Sequence, residues 1–351
     1  MVEFCETTVR KKVWTATELL SQDFPPVQWV IEGLIAPGLT LLAGAPKLGK
    51  SWLSLQIATA ASVGSAALGK ISVPQREVLY LALEDTPRRL KSRLETIGAS
   101  ASDRLHLTTE WERGVRGIES LREWIQSHPD TKLIIVDTWG RFSAARDGND
   151  YRQVTDAANQ LKAVADDFDI AILAVHHARK TSKGGDAGDF IEAVLGSTGL
   201  AAAADTTLLL RRDRGNRDAV LLVTGRDVPE AEYALSFDSD TGTWMLLGTT
   251  KEVQKSNARQ QIVDLLTEAD GAMTPKAIAE ALGKNASTTR VLLRRMDDEG
   301  VVASRSGNYT LATRKHCKPV NSGQRETPEN SFKFTEFTVS EVSSGNNGND
   351  P

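Results

Sequence analysis

The residues Gly44-Ala45-Pro46-Lys47-Leu48-Gly49-Lys50-Ser51 fit the pattern G-x-x-x-x-G-K-[ST] at every fixed position. The chemistry such a run can do is to cradle a polyphosphate. Gly44 and Gly49 let the backbone curl so that several N–H groups point at phosphate oxygens. Lys50 has the reach and charge for the β- and γ-phosphates, and the Ser51 hydroxyl suits a Mg²⁺ ligand. The expected nucleotide-binding set is Gly44, Ala45, Pro46, Lys47, Leu48, Gly49, Lys50, Ser51 and Trp52, with ATP and Mg²⁺ as the expected cofactors.

A glycine-rich turn arises by chance unless its flanks agree, and here they do. Leu39-Thr40-Leu41-Leu42-Ala43 reads as a short apolar strand, and Trp52 to Ala61 carries apolar residues at helical spacing. Strand, loop and helix in that order aim the helix N-terminus at the anion. Further on, Glu77 to Leu83 is a near-continuous apolar run ending in Glu84-Asp85, which suits a strand buried on both faces of a parallel sheet. Carboxylates at the carboxyl end of such a strand lie where ligands bind. Lys132 to Val136 is a second apolar run. It ends in Asp137, the Walker B arrangement, and Asp137 is the expected second holder of the Mg²⁺ shell. Ile170 to Val175 runs into His176-His177. Adjacent histidines on an extended strand face opposite ways, so they do not share one metal ion. A polar sensor of the γ-phosphate is the better reading, with a hydrogen-bonded core histidine for the other.

Strands and helices alternate from Gly33 to Leu247, and antiparallel hairpins close the segment, including Thr206–Leu210 with Ala219–Val223 about a turn at Gly215-Asn216. The expected fold class is α/β with a mainly parallel sheet. Thr249 to Asn257 reads as a polar linker. Three helices and a hairpin follow, the pattern of a winged helix-turn-helix: Ile262, Leu265 and Leu266 form one stripe, Ile278, Ala279 and Leu282 a second, and Val291, Leu292 and Met296 a third. Arg290, Arg294 and Arg295 on the third helix are candidate duplex-DNA contacts. The expected boundaries are an N-terminal extension at 1–28, an ATPase domain at 29–248, a linker at 249–257, a winged helix domain at 258–313 and a tail at 314–351. The tail, with Phe332, Phe334 and Phe337 spaced among polar residues, is too polar to build a core.

Composition sets outer limits. The chain has 351 residues and a net charge of −4, so any nucleic-acid surface must be local. Its two cysteines, Cys5 and Cys317, form neither a disulfide framework nor a metal-binding spacing, which suits a reducing cytoplasm. No apolar run reaches membrane-spanning length, so no membrane partner is expected.

With these motifs identified, Trp29 to Leu247 resembles the RecA-like ATPases of the RepA helicase branch, of AAA_25 type, which work as hexameric rings in plasmid and phage replication. The resemblance rests on the phosphate loop, Leu81-Ala82-Leu83-Glu84-Asp85, Ile134-Ile135-Val136-Asp137, His176-His177, and Gly196-Ser197-Thr198 leading to Ala204-Asp205. It implies that Glu84 is the catalytic glutamate, that Asp137 is the Walker B aspartate, and that His177, or else His176, senses the γ-phosphate. It also implies that Arg226 is an arginine finger acting on a neighbouring subunit's nucleotide, with Arg211 and Arg212 as alternatives. The related DnaB-type pattern has a lysine where this chain has Thr224. The implied partners are other copies of this chain in a ring and single-stranded DNA, gripped by the loops Arg141 to Asp150 and Lys180 to Asp189, where Lys180 and Lys183 are the basic candidates. The resulting expectation is an ATP-hydrolysing DNA motor or loader. The competing one is a nucleotide-switched regulator that reads DNA through the winged helix without unwinding it.

Overall fold

The computed structural model describes residues 13–144, 151–177, 199–212, 218–269 and 271–312. Lys180, Lys183, Gly196-Ser197-Thr198, the turn at Gly215-Asn216, most of the loop running to Asp150, both cysteines and the tail from 314 lie outside them. The chain divides into two compact units, Met1–Ala258 and Arg259–Pro351.

The first unit is built on β1 (Gly38–Gly44), β2 (Ala66–Ala67), β3 (Ile71–Ser72), β4 (Glu77–Ala82), β5 (Leu105–Thr108), β6 (Thr131–Asp137), β7 (Ala171–His177), β8 (Thr206–Arg212), β9 (Asp218–Gly225), β10 (Ala231–Asp238) and β11 (Thr243–Thr249). Nine of these form one sheet in the order β11-β10-β9-β8-β1-β7-β6-β4-β5. From β8 to β5 every neighbouring pair is parallel, while β8–β9, β9–β10 and β10–β11 are antiparallel. The continuous apolar runs have their reason here. Every residue of β1 is buried, and the strand feeds two separate cores by alternation. Leu39, Leu41 and Ala43 join one face, and Leu42 joins the other.

Helices α1 (Ala16–Leu20), α2 (Lys50–Val63), α3 (Pro87–Thr96), α4 (Gly114–Ser127), α5 (Trp139–Phe142) and α6 (Tyr151–Phe168) precede a short helix at Gly199–Ala203. Ile118, Leu121 and Ile125 of α4 pack with Leu161 and Val164 of α6 on one face of the sheet. α2 lies on the other face and is buried nearly all round, because β11 covers its outer side. Gln56 of α2 accepts from the Trp244 backbone N–H and donates to the Trp244 carbonyl, at 2.9 and 3.0 Å. The turn between β10 and β11 needs glycine at Gly242: its φ is +64°, and a Cβ there would sit 2.4 Å from the Trp52 ring.

The stretch around Trp29 is a turn closed by a single Ile31–Ile35 bridge, with Trp29 packed against the core. The linker expected at 249–257 is corrected by the structure. Thr250–Glu268 is one helix, and the division between the two units falls within it. Its start is a capping box: the Thr249 hydroxyl accepts from the Glu252 N–H, and the Glu252 carboxylate accepts from the Thr249 N–H at 2.9 Å. Lys, Glu, Gln, Ala and Arg then supply good helix formers.

The second unit contains helices Pro275–Ala281 and Ala286–Asp298 and the hairpin β12 (Val302–Arg305) with β13 (Asn308–Leu311). Thr274 and Asn285 cap the two helices. The core is Ile262, Leu266, Ile278, Leu293, Met296, Val302 and Tyr309. Val291 was expected inward but is 54% exposed, and Leu293 takes its place at 0%. The buried set Thr289, Leu293 and Met296 keeps steps of four and three, which one helix face requires; Val291 is out of phase with it. Leu293→Ala should therefore destabilise this unit by about 2–5 kcal/mol, whereas Val291→Ala should stay within about 0.5 kcal/mol. Urea unfolding of the full chain followed by circular dichroism measures the difference.

Candidate functional site

The chemistry gathers at the carboxyl ends of β1, β4, β6 and β7. β1 ends at Gly44, and the chain turns through the phosphate loop into α2. Gly49 caps that helix at φ +97°, and a Cβ there would lie 2.9 Å from the Trp244 ring. Trp244 is fully buried, and its indole N–H donates to the Gly49 carbonyl at 3.1 Å. A residue of the sheet's edge strand β11 thus holds the last turn of the loop.

Lys50 is 2% exposed, and its ammonium donates to the carbonyls of Gly44 and Ala45 at 2.8 and 2.9 Å. Burial pulls its pKa down to about 8, against the opposing pull of the Asp137 and Glu84 carboxylates. Asp137 ends β6 and is buried. Its Oδ2 accepts from the Tyr80 hydroxyl at 2.8 Å, while Oδ1 is buried without a hydrogen-bond partner. Burial raises its pKa, hydrogen bonds from Ser51 and Tyr80 draw it back, and Glu84 pushes it up again. The Tyr80 hydroxyl also meets Ser54 of α2 at 2.9 Å. A buried carboxylate oxygen left unpaired, on a carboxyl that the Ser51 hydroxyl also reaches, is an arrangement that a divalent cation completes. Ser51 and Asp137 therefore fit the expected Mg²⁺.

Glu84 follows β4 and remains 45% exposed at its side chain. Its Oε1 accepts from the Thr138 hydroxyl at 2.8 Å, and its Oε2 lies 3.4 Å from His177 Nε2. The Asp137–Thr138 peptide between these two strand-end groups is cis. His176, on the opposite face of β7, is held neutral: burial and the nearby His177 and Lys50 push its pKa down to about 4. The two histidines divide as alternation requires, and it is His177 that meets the glutamate.

Lys47, Gly49, Lys50, Ser51, Trp52, Arg93, His177, Arg212 and Phe237 line a cavity of about 280 Å³. Arg93 pairs with Asp85 and lies over the Trp52 ring, 5.4 Å from its centroid. Arg212 ends β8 and lies 4.9 Å over the ring of Phe237. A larger cavity of about 650 Å³, lined by residues such as Thr207, Leu222 and Gln254, lies apart from these groups.

Arg226 is not brought to this cavity. β9 runs antiparallel to β8, so Gly225 pairs with Thr206 at the end of the sheet away from the phosphate loop. There Arg226, 64% exposed, pairs with Asp205 at 3.3 Å. Asp205 also accepts from Lys162 at 2.5 Å and from the Leu39 N–H at 3.0 Å. Arg290, Arg294 and Arg295 are all exposed on the third helix of the second unit. Tyr80, Thr138, Trp244 and Arg93 escaped the sequence reading, because no spacing in the chain marks them.

A strand, phosphate loop and helix at the carboxyl end of a mainly parallel sheet, with a buried lysine opposite a strand-end aspartate, define a P-loop nucleotide-binding protein of RecA-like fold. The AAA domain family AAA_25 matches residues 5–183, more than half of the chain, and the chain belongs to that family. The IclR helix-turn-helix domain matches residues 261–306. Among solved structures, a crystal structure of the RadB recombinase is similar at 18% identity and a TM-score of 0.43, over 60% of this chain and 91% of that one.

The Lys50 charge has a measurable cost. The unfolded chain keeps this proton up to about pH 10.5, and the folded protein only to about 8. Folding is therefore penalised below pH 8, and the penalty fades as pH rises towards 10.5. The penalty is about 3 kcal/mol at most, less about 1 kcal/mol or more for the two hydrogen bonds the ammonium makes. Lys50→Met should thus stabilise the nucleotide-free protein by about 1–2 kcal/mol at neutral pH. The gain should shrink by pH 10, as read by urea unfolding at both values.

Proposed function

We propose that this chain hydrolyses ATP to drive work on DNA, as a motor or loader of the RepA helicase kind acting as a hexameric ring. The observation that carries the reading is Glu84. One oxygen is held by Thr138, the other faces His177, and the buried Lys50 and the unpartnered Oδ1 of Asp137 lie beside it. A half-exposed carboxylate so fixed can orient a water and take its proton.

Lys50 holds the triphosphate by charge, and the loop N–H groups add their dipoles. Ser51 and Asp137 would hold Mg²⁺, which when bound neutralises part of the phosphate charge. His177 contacts the same carboxylate that handles the water, so loss of the γ-phosphate can be felt along β7. Arg226 is too far along the sheet to serve its own subunit's nucleotide. Its exposure and its anchor on Asp205 suit a contact across a subunit interface. The single-stranded DNA contacts proposed for Lys180 and Lys183 follow from the family resemblance alone.

Glu84→Gln should bind ATP and fail to hydrolyse it, and Arg226→Ala should also be inactive, by about 10³-fold. Mixing the two should restore part of the turnover, because some interfaces then hold an intact glutamate opposite an intact arginine. Mixtures that stay inactive while subunits demonstrably exchange would remove Arg226 from the mechanism. Full turnover in Glu84→Gln would remove Glu84.

The helix-turn-helix supports a second reading, a nucleotide-switched DNA-binding regulator. Arg290, Arg294 and Arg295 lie exposed along one helix, as a duplex reader requires. Strand displacement on a forked duplex separates the two readings, since the regulator binds duplex and displaces nothing. Under either one, replacing the three arginines with alanine should weaken duplex binding and reduce the slope of log affinity against log salt by up to about 3.

A further inference from the structure

At the end of β4 away from the phosphate loop, three potential metal ligands converge. Glu77 is the first residue of β4, His106 lies on β5, and His128 caps the end of α4. Leu79 pairs with His106, which puts His106 on the Leu79 face of the sheet, and the Glu77 carboxylate, just before an irregularity in the strand pairing, reaches His106 on that face. That is the face which α4 covers, and α4 delivers His128 to it. One ligand atom from each of the three lies within 4.8 Å of the other two, and all three residues are half-buried.

A hydrogen bond between His106 Nε2 and the Glu77 carboxylate, at 2.8 Å, joins two of them. His128 is the more telling. Its Nδ1 lies 3.1 Å from the Trp124 carbonyl oxygen and 3.0 Å from the Ser127 hydroxyl, so its hydrogen-bond partners sit on the Nδ1 side of the ring. Donation from Nδ1 to that carbonyl would leave the Nε2 lone pair for a metal ion, the arrangement in which an outer hydrogen bond sets the tautomer of a ligating histidine. Trp124 fixes both rings: it stacks on His128 at 3.7 Å and 6°, and meets His106 edge-on at 5.1 Å. Ligands this constrained lose little freedom on binding.

We propose that Glu77, His106 and His128 bind a divalent transition-metal ion, with Zn²⁺ the best fit. Two imidazoles and a carboxylate are a borderline-soft set that zinc accepts in tetrahedral geometry, with water in the fourth position. Tetrahedral coordination would bring the ligand atoms to about 3.3 Å from one another, within reach of side-chain rotation. The ion would tie the edge strand β5 to the start of β4 and the end of α4. It is separate from the Mg²⁺ position, since the length of β4, about 20 Å, lies between them.

The test is titration of the full chain, free of nucleotide, with Co²⁺ and Zn²⁺ at pH 7.5. One Co²⁺ per chain with visible tetrahedral absorption bands, displaced by Zn²⁺ binding tighter than about 10 μM, is the expected result. His106→Asn and His128→Asn should each weaken binding at least about tenfold, while His176→Asn with His177→Asn should not. The absence of tetrahedral bands in the unmodified chain would overturn the site, whatever the variants do to folding. Binding that survives both His106→Asn and His128→Asn, or that is lost with His176→Asn and His177→Asn, would overturn it as well.

Discussion

A positive charge buried at the junction of β1 and α2 sets the terms for the rest of the first unit. The Lys50 ammonium is 2% exposed and rests on two carbonyls of its own loop. Such a charge persists in a folded interior only where acceptors and carboxylates compensate it. The compensation comes from two other strands in the parallel part of the sheet, through Asp137 at the end of β6 and Glu84 beyond β4. The parallel arrangement is what makes this possible, because it brings the ends of successive strands to one edge. The acidic groups crowd each other in turn, so burial and Glu84 both raise the Asp137 pKa. A bound Mg-nucleotide would bring both a cation for the aspartate and an anion for the lysine.

The antiparallel strands of the sheet have a different task. The β10–β11 hairpin turns back over α2 and places Trp244 against Gly49, so the far strands brace the phosphate loop from outside. Tyr80 braces it from below, linking Ser54 of α2 to Asp137. A loop that must present its N–H groups in one arrangement gains from supports on both sides, since each restricts the conformations it can adopt before ligand arrives.

The sequence by itself determined the phosphate loop, the strand-end carboxylates Glu84 and Asp137, the split of His176 from His177, and the helix-turn-helix pattern. Each of these depends on spacing within a few residues, which the helical and extended repeats translate directly into geometry. The helix beginning at Thr250 was also written locally, in the Thr249 and Glu252 capping box, and was masked by its polar composition. Tertiary structure alone decided that Thr138 holds Glu84 across 54 residues, that Trp244 holds Gly49 across 195, and that Arg226 faces away from its own nucleotide cavity. It alone brought Glu77, His106 and His128 together. The physical reason is that strand order and crossover direction fix which distant side chains meet, and neither is a property of any short stretch of chain.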